Sequence, residues 1–346
     1  MAENKEQKQK DKWYVQIMSI KKPYVYLGMF LVVIIPFLAN LKIKTYETDL
    51  VKEVYQKVEK IHEYNLNHPD KKKGVLIGFD YGPSTTPECD PIAYSVFRHL
   101  FLRDIPIVVW APYGPYLELA DSRLNRIAKE YKANYGKDYV FMGLAYPATA
   151  YMVSTSSDLR PVFNTDYYGN DVYDLKILDR FNNYDNFGLV ITISGTAMPE
   201  YWLRYANSLY NQEVSVGTTA VNAAKFYPYA NSGQFTGMIA GLKGAAEYEQ
   251  KVTRLEKELI GKDIKPYLRN LYTEKNRSKF NKEYFNPKFN EGEIRTAMLR
   301  RHQAGRGMSS QFGAHIYVII LIIIGNIGYF FKRKAEKDRT KRRRGV

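Results

Sequence analysis

Two uncharged apolar stretches, one near each end of the chain, constrain its fold more than any motif between them. The first covers residues 24–41 and the second residues 312–331. Each is about as long as the roughly 20-residue helix that crosses the ~30 Å hydrocarbon core of a bilayer. The chain between them is too polar to lie in lipid. The sequence therefore predicts one folded domain that is anchored to a membrane at both ends.

The first stretch is expected to remain as an anchor and not to be cleaved as a signal peptide. Its apolar run is longer than the usual signal-peptide core, and it ends Phe37-Leu38-Ala39-Asn40-Leu41, without a small-x-small cleavage site. Basic residues lie outside both stretches. The basic residues are Lys5, Lys8, Lys10, Lys12, Lys21 and Lys22 at one end, and Lys332, Arg333, Lys334, Lys337, Arg339, Lys341, Arg342, Arg343 and Arg344 at the other.

Positive charge tends to stay on the cytoplasmic side of a membrane, so both termini are predicted to be cytoplasmic and the large domain extracytoplasmic, either periplasmic or lumenal. Arg295, Arg300, Arg301 and Arg306 precede the second stretch and oppose this orientation. Long translocated domains override such charges, so the prediction of an outer domain is kept.

The formal net charge of +15 does not indicate a nucleic-acid partner. Residues 1–23 carry +3 and residues 332–346 carry +7, which leaves only +5 for the remainder. Basic tails beside a membrane span suit anionic lipid headgroups instead. The single cysteine, Cys89, excludes an intramolecular disulfide. Because Glu88 and Asp90 flank it and raise its pKa, we expect a buried, inert thiol, with a crosslink between two chains as the alternative.

Five short apolar runs separated by amphipathic helices predict a doubly wound, mostly parallel sheet, that is, a three-layer α/β/α domain. The runs are 75–79, 107–110, 139–144, 188–193 and 214–217. Strands that are apolar throughout are typical of a parallel sheet covered on both faces. Gly237, Gly241 and Gly244 fall at helical spacing and are interpreted as a smooth helix face. Residues 153–184, rich in Asp, Asn and Tyr, predict a surface loop or small hairpin.

The predicted order along the chain has seven parts. They are a basic tail (1–23), a transmembrane helix (24–41), a membrane-proximal helix (42–73), the α/β domain (74–260), a basic aromatic-rich arm (261–311), a second transmembrane helix (312–331) and a basic tail (332–346). The arm is short of aliphatic residues, so we expect it to be extended and to lie on another surface.

Two helices that flank the sheet domain carry apolar seams. The seam residues are Val51, Val54, Val58 and Ile61 in one helix, and Tyr248, Val252, Leu255 and Leu259 in the other. Neither seam is long enough for a free coiled coil. Either they pack on the domain or on each other, or they form an interface with a second copy or another subunit.

Ligands of open parallel sheets bind beyond the carboxyl ends of the strands, where the loops converge. The candidate ligand-binding residues are those of the loops that follow the predicted strands, namely Asp80, Tyr81, Ser84, Thr85, Tyr113, Thr149, Ser194, Gly195, Thr196 and Thr218. Ser, Thr and Gly are also the residues that helix caps and turns require, so a purely structural role is the alternative.

Asp80 has the best position for catalysis, at the end of the first predicted strand. A hydrolase that forms an aspartyl intermediate would have a second Asp two residues later, where Gly82 stands. Glu88, Asp90 and Asp166 could supply a second carboxylate, but their spacing does not bring them together. The sequence contains no serine-nucleophile elbow, zinc motif or phosphate-binding glycine loop, so no metal and no cofactor is predicted.

Tyrosine is abundant, with 30 residues in 346. Tyr81, Tyr113, Tyr116, Tyr146, Tyr167, Tyr168, Tyr227 and Tyr229 fall in predicted loops. Aromatic loops suit either a protein interface or the stacking of a sugar ring.

Three hypotheses about function follow from the sequence. The first is a non-enzymatic membrane-anchored scaffold subunit that assembles with itself or with other envelope proteins. The second is a sensor or binding module for a small anionic or sugar-like ligand at the sheet edge, and the third is a hydrolase using Asp80.

Overall fold

The computed structural model of the protein describes residues 13–39, 46–261, 264–269 and 289–343. Residues 1–12 of the first predicted basic tail and residues 344–346 of the second lie outside these residues, as do the last two positions of the first predicted span. The chain divides into two compact units, one formed by residues 1–43 with 306–346 and the other by residues 44–305. The second unit is called the body below.

The body contains a six-stranded, all-parallel sheet with helices on both sides, which confirms the predicted α/β class. Its strands are β1 (Gly74–Asp80), β2 (Ile107–Ala111), β3 (Tyr139–Leu144), β4 (Phe187–Ser194), β5 (Val214–Thr218) and β6 (Gly237–Ala240). They lie in the order β3-β2-β1-β4-β5-β6. The direction of winding reverses between β1 and β4, so the carboxyl ends of these two strands form the topological switch point.

The helices of the described residues are numbered in chain order. They are α1 (Trp13–Met18), α2 (Lys22–Leu38), α3 (Asp49–Asn67), α4 (Thr86–Leu102), α5 (Leu117–Glu130), α6 (Ala148–Ser154), α7 (Met198–Trp202), α8 (Ser208–Tyr210), α9 (Ala220–Asn231), α10 (Gly241–Leu259), α11 (Ile264–Arg269), α12 (Glu291–Arg300) and α13 (Gln303–Arg343). A π-helical turn over Leu203–Asn207 joins α7 to α8.

The five predicted strands are all present, but β6 was missed because the glycines around it were wrongly interpreted as a helix face. Gly237 begins β6, and a Cβ there would lie 2.6 Å from the carbonyl oxygen of Leu50 in α3. Gly241 has φ +57° and turns the chain from β6 into α10. These glycines therefore serve a close approach and a left-handed turn, and the helical spacing arises by coincidence.

The two apolar seams pack within the body, so the interface interpretation does not hold for most of their residues. Val51, Val54, Val58, Ile61, Tyr248, Val252 and Leu255 are all buried, and only Leu259 is exposed, at 52%. The first seam ends at Asn65 because the Asn65 amide exchanges hydrogen bonds of 2.9 and 2.7 Å with the backbone of Lys73. A polar side chain at this position fixes the turn into β1.

The segment between α6 and β4 is irregular, as predicted, with short 3₁₀ turns and one isolated antiparallel bridge between Thr165 and Asp171. It is nevertheless more than a surface loop. Its apolar side chains are buried in the body, namely Leu159, Phe163, Val172, Leu175, Ile177, Leu178 and Phe181.

The arm predicted to be extended is helical where the structure describes it. Ile264 and Leu268 of α11 pack against Ile294 and Ala297 of α12 in a small core of their own. A capping box between Asn290 and Glu293 begins α12. Few aliphatic residues are enough for this core because two short helices need only one apolar stripe each. Residues 270–288 of the arm lie outside the described residues.

A buried cluster of four charged side chains ties the end of α12 to α4, α5 and α10 of the body. The guanidinium of Arg301 donates to Glu130 at 2.7 Å and to Glu256 at 3.0 Å. Arg98 donates to Glu256 at 2.9 Å. Burial alone would raise the pKa of Glu256, but Arg98 and Arg301 outweigh it and lower that pKa. Arg300 also pairs with Glu130, at 2.8 Å. Two of the arginines that oppose the predicted orientation are therefore neutralised inside the body.

The first prediction concerns this cluster. Arg301→Ala should destabilise the body by roughly 3–5 kcal/mol, because it leaves Glu130 and Glu256 buried without their shared partner. The matched control is Arg295→Ala, which removes an exposed arginine of α12 and should change stability by less than about 0.5 kcal/mol. Urea unfolding of the full chain in detergent measures both. Equal effects would contradict the assignment.

The other unit contains α1, α2 and α13, and it supports only one of the two predicted membrane spans. Among the described residues, α13 is long and apolar enough to cross a bilayer, over Gln303–Lys337. α2 is apolar but has 17 residues, which is short for a span. The helices run antiparallel. The rings of Trp13 and Phe331 lie 5.0 Å apart at one end, and Tyr317 donates to the carbonyl oxygen of Val25 at 3.0 Å further along.

The second prediction concerns this helical hairpin. A Cβ on Gly313 would lie 3.1 Å from the carbonyl oxygen of Val32 in α2, whereas a Cβ on Gly325 would meet nothing within 4 Å. Gly313→Val should therefore weaken the helix pair by ~1–3 kcal/mol, and Gly325→Val should not. Disulfide formation between Trp13→Cys and Phe331→Cys, in a Cys89→Ser background, measures the pairing. An unchanged crosslinking yield in Gly313→Val would refute it.

Candidate functional site

The carboxyl ends of β1 and β4 bring together six of the predicted ligand-binding residues. Asp80 ends β1 and pairs in register with Ser194, which ends β4, and Ser194 pairs with Thr218 of β5. Gly195 donates its N–H to the carbonyl oxygen of Asp80 at 2.9 Å, and Thr218 Oγ1 donates to the carbonyl oxygen of Ser194 at 2.8 Å. Thr196 follows in the same loop, and the Thr85 side chain approaches Gly195 from the loop after β1.

Asp80 is the buried centre of this site, and its two carboxylate oxygens have different surroundings. Ser194 Oγ donates to Asp80 Oδ2 at 2.6 Å, and Thr196 Oγ1 donates to the same oxygen. Asp80 Oδ1 is buried and has no hydrogen-bond partner among the described residues. One oxygen is thus fully engaged by the fold, while the other can accept or donate a hydrogen bond to a ligand.

The hydroxyl groups of the loop after β4 also hold the loop itself. Ser194 Oγ accepts from the N–H of Thr196 at 3.0 Å, and Thr196 Oγ1 accepts from the N–H of Met198 at 3.1 Å. This is the turn-forming role that was part of the alternative explanation for these residues. Both roles coexist, because a hydroxyl can donate to Asp80 and accept from the backbone at once.

Burial raises the pKa of Asp80 from 3.8 to about 6, although the hydroxyls of Ser194 and Thr196 lower it. Among the described residues, no Lys or Arg forms an ion pair with Asp80 to offset the burial. The carboxyl group is therefore close to half-ionised under mildly acidic conditions. It can donate a hydrogen bond from its protonated form or accept one as a carboxylate.

The carboxylates that could have assisted Asp80 in hydrolysis are engaged elsewhere. Asp90 binds Arg123 at 2.8 Å, and Asp166 accepts from the hydroxyl of Tyr135 at 2.6 Å. Glu88 accepts from the N–H of Ala220 at 2.8 Å. None of these three carboxylates is hydrogen-bonded to Asp80 among the described residues.

Several of the predicted site residues lie elsewhere. Tyr81 is buried in the core and donates to Asp90 at 2.8 Å, so its prediction as a loop residue facing a ligand is wrong. Ser84 is exposed in the turn after β1, and Thr149 lies in the first turn of α6. The predicted loop tyrosines Tyr227 and Tyr229 are part of α9. An aromatic side chain after an apolar run can cap the core as readily as face solvent.

Cys89 is buried, as predicted, in the first turn of α4, which follows β1. Burial raises its pKa to about 12, and the charges of Glu88 and Asp90 add to that increase. The acids beside Cys89 correctly predicted that its pKa is raised, but burial is the larger cause of that increase.

Four tyrosines follow the carboxyl ends of β2, β3 and β4, at the same edge of the sheet as Asp80, and they are called the tyrosine rim below. They are Tyr113, Tyr116, Tyr146 and Tyr201. Partial burial raises the pKa of Tyr113, and the charge of Asp80 and the three other rim tyrosines raise it further. The rings of Tyr113 and Tyr116 lie 5.6 Å apart, edge to face. Tyr146 is 84% exposed. Tyr201 was missed from the sequence, although its place just after the fourth strand was a usable signal.

The third prediction concerns the cost of burying Asp80. Because its folded pKa lies above its unfolded pKa, its contribution to stability is most favourable below pH 4 and is lost as the pH rises through about 6. Asp80→Asn should therefore stabilise the full chain by up to ~3 kcal/mol at pH 8 and by almost nothing at pH 4. Thermal unfolding from pH 4 to 8 measures the difference.

The matched control for that measurement is Asp70→Asn, an exposed aspartate just before the amino end of the same strand. As a surface substitution it should change stability by less than about 0.5 kcal/mol. A stability difference between wild type and Asp80→Asn that stays constant with pH would contradict the assigned shift in the pKa of Asp80.

The strand order of the body is the one found in doubly wound dinucleotide-binding domains, but a shared fold does not fix a function. The loop after β1 contains no glycine-rich phosphate fingerprint. The chain as a whole matches no protein-family model, no curated protein and no solved structure.

Proposed function

We propose that the protein is a membrane-anchored binding module that takes up a small, neutral, hydroxyl-bearing ligand at the carboxyl edge of its sheet. The observation that carries this proposal is the buried carboxyl of Asp80, whose Oδ1 has no partner among the described residues at the topological switch point. A buried polar atom without a partner is costly, and a ligand hydroxyl would satisfy it.

The charge of the site supports a neutral ligand over the anionic one that the sequence left open. Asp80 would repel an anion whenever it is ionised, and no cation pairs with Asp80 in the described part of the chain. Hydroxyl groups can both donate to a carboxylate and accept from a carboxylic acid. A ligand hydroxyl can therefore bind Asp80 both below and above the pKa of the carboxyl group.

The tyrosine rim supports a sugar-like ligand. Tyr113, Tyr146 and Tyr201 are exposed, and they follow β2, β3 and β4 at the same edge of the sheet as Asp80. Aromatic faces pack against the apolar face of a sugar ring, while the phenolic hydroxyls can bind its oxygens. The carboxyl edge of the sheet therefore offers exposed aromatic rings for stacking and one buried polar group, the Asp80 carboxyl, for hydrogen bonding.

Anchoring by two spans, with both termini cytoplasmic and the body extracytoplasmic, belongs to the same proposal. The antiparallel contacts of α1 and α2 with α13 support it, because they bring Trp13 and Phe331 to the same end of the hairpin. The neutralised Arg300 and Arg301 also remove part of the charge that opposes this orientation. α2 would need the residues beyond Leu38 to complete a span.

The fourth prediction tests binding directly. Isothermal titration of the full chain, in a detergent without a sugar headgroup, uses D-glucose, N-acetyl-D-glucosamine and glucose 6-phosphate as probes. At least one neutral sugar should bind saturably, and the phosphate should bind about tenfold more weakly or not at all. Asp80→Asn should weaken sugar binding by about tenfold, the worth of one hydrogen bond to a charged group.

Asp70→Asn is again the control and should bind like the wild type, since it lies beyond the opposite end of β1. The proposal fails if neither neutral sugar binds the wild-type protein. It also fails if Asp80→Asn leaves the affinities unchanged.

A scaffold role remains the second candidate, because the carboxyl edge also presents apolar surface. Leu144 ends β3 and Tyr146 follows it, Tyr201 follows β4, and Val221 after β5 is 81% exposed. Such side chains around one edge are the kind that assembly with a second copy or another membrane subunit would cover. A defined oligomer or a stoichiometric co-purifying chain in native mass spectrometry would favour this candidate over the first.

A further inference from the structure

An apolar groove lies between α2 and α13 of the helical hairpin, and the proposed function makes no use of it. Its volume is about 310 Å³. The Tyr317 hydroxyl at its wall is engaged by the carbonyl oxygen of Val25, and Ser309 lies at one end. The other lining residues are apolar and come from both helices, namely Val32, Pro36, Phe312, Gly313, Ile316 and Ile320.

The length of this groove matches that of one lipid acyl chain. Its lining on α13 runs from Ser309 to Ile320, which is a rise of ~16 Å along the helix axis at ~1.5 Å per residue. Half of the ~30 Å hydrocarbon core, the depth of one leaflet, is almost the same distance. An acyl chain of that leaflet could therefore lie along the whole groove.

A cation lies at the end of the groove that begins with Ser309. Arg306 is one turn before Ser309 on the same face of α13, because positions 306, 309, 313, 316 and 320 follow one another at spacings of three and four. Its Nε donates to the carbonyl oxygen of Phe37 at 3.2 Å, and its guanidinium lies 4.1 Å from the centre of the Phe37 ring. These contacts hold Arg306 beside Pro36 of the lining.

The charge of Arg306 is not neutralised within the part of the chain that the structure describes. No acidic side chain there pairs with it, and its two terminal nitrogens have no hydrogen-bond partner. Six residues, or ~9 Å of helix, separate Arg306 from Phe312, where the apolar stretch begins. With α13 across a bilayer, Arg306 lies at the depth of the lipid headgroups.

We propose that the groove binds an anionic phospholipid, with one acyl chain along α13 and the phosphate on Arg306. Because lipid tails are as apolar as the groove, the acyl contacts position the lipid and add little affinity. Selectivity comes from the phosphate, since a guanidinium forms charge-assisted, bidentate hydrogen bonds with phosphate oxygens. The inference shares only the membrane anchoring with the proposed function and does not depend on the sugar site.

A second copy of the chain is a less suitable occupant of the groove. Two copies in one membrane have the same orientation, so a twofold axis along the membrane normal places each residue at the same depth as its counterpart. A dimer packed through the groove would bring two Arg306 guanidinium groups together with no acid between them. Like charges beside hydrocarbon repel, whereas a phosphate neutralises the charge that is present.

Native mass spectrometry of the full chain in a non-ionic detergent tests the proposal. The chain is titrated with dioleoyl phosphatidylglycerol and with dioleoyl phosphatidylcholine, which have the same acyl chains and differ in the net charge of the headgroup. The wild type should bind the anionic lipid about tenfold more tightly, the worth of one charge-assisted hydrogen bond. Arg306→Gln should abolish this preference, and Arg306→Lys should keep part of it.

Two matched controls separate the groove from general effects. Arg333→Gln removes an exposed cation near the other end of α13 and should keep the preference. Ile316→Trp blocks the groove and should abolish the preference, whereas Val318→Trp, two residues further on and on another face of α13, should not. The yield of the disulfide between Trp13→Cys and Phe331→Cys, in the Cys89→Ser background, shows in each variant whether the hairpin is intact.

Equal binding of the two lipids by the wild type would overturn the proposal. A preference that survives in Arg306→Gln, or that falls equally in Arg333→Gln, would also overturn it and assign the effect to the basic residues at the ends of the chain. A dimer that is lost in Ile316→Trp but not in Val318→Trp would identify a second copy as the occupant instead. None of these outcomes affects the sugar titration, which tests the site at Asp80 separately.

Discussion

The burial of β1 is the constraint on which the rest of the body depends. All seven residues of Gly74–Asp80 are buried, and the strand pairs with β2 on one side and β4 on the other. A strand enclosed on both edges and both faces can be approached only from its ends. The chain places an ionisable side chain, Asp80, at the carboxyl end of this strand. The cost of burying it is offset in part by Ser194 and Thr196, which belong to the neighbouring strand and its loop.

Buried charges also fix the position of α12 and the first turn of α13 on the rest of the body. Arg301 at the end of α12 reaches two acids from separate helices, Glu130 of α5 and Glu256 of α10. Glu249, one further buried acid of α10, accepts from the N–H groups of Ala304 and Gly305 in the first turn of α13. Buried pairs of this kind add little net stability compared with apolar packing, but they fix one arrangement because any other leaves a charge unpaired.

Much of the fold could be predicted from the sequence because the strands of a parallel sheet are apolar throughout. The apolar runs around Val75 and Val108 fit buried parallel strands better than any other element. β6 could not be recognised in the same way, because it has only four residues and begins with Gly237. It is buried because α3 packs against it. The seam from Val51 to Ile61 indicated a buried helix face correctly, but the sequence could not say whether the body or a partner covers it.

The candidate site was predictable in part for a related reason. Asp80 and Ser194 could be expected at the carboxyl edge because each follows an apolar run. Their direct contact depends on the order of the strands, which places β4 beside β1 although the chain visits β2 and β3 in between. No local pattern encodes that order.

The unequal surroundings of the two oxygens of Asp80 have a consequence for how the site would respond to acidity outside the membrane. A ligand that donates to Oδ1 stabilises the ionised carboxyl, so near pH 6 its binding must release a proton. A ligand that accepts from Oδ1 stabilises the protonated form, and its binding must take a proton up. Under the proposed function, proton exchange and ligand binding at this edge would therefore be coupled. The sign of the proton exchanged on binding reveals which partner of the hydrogen bond the ligand provides.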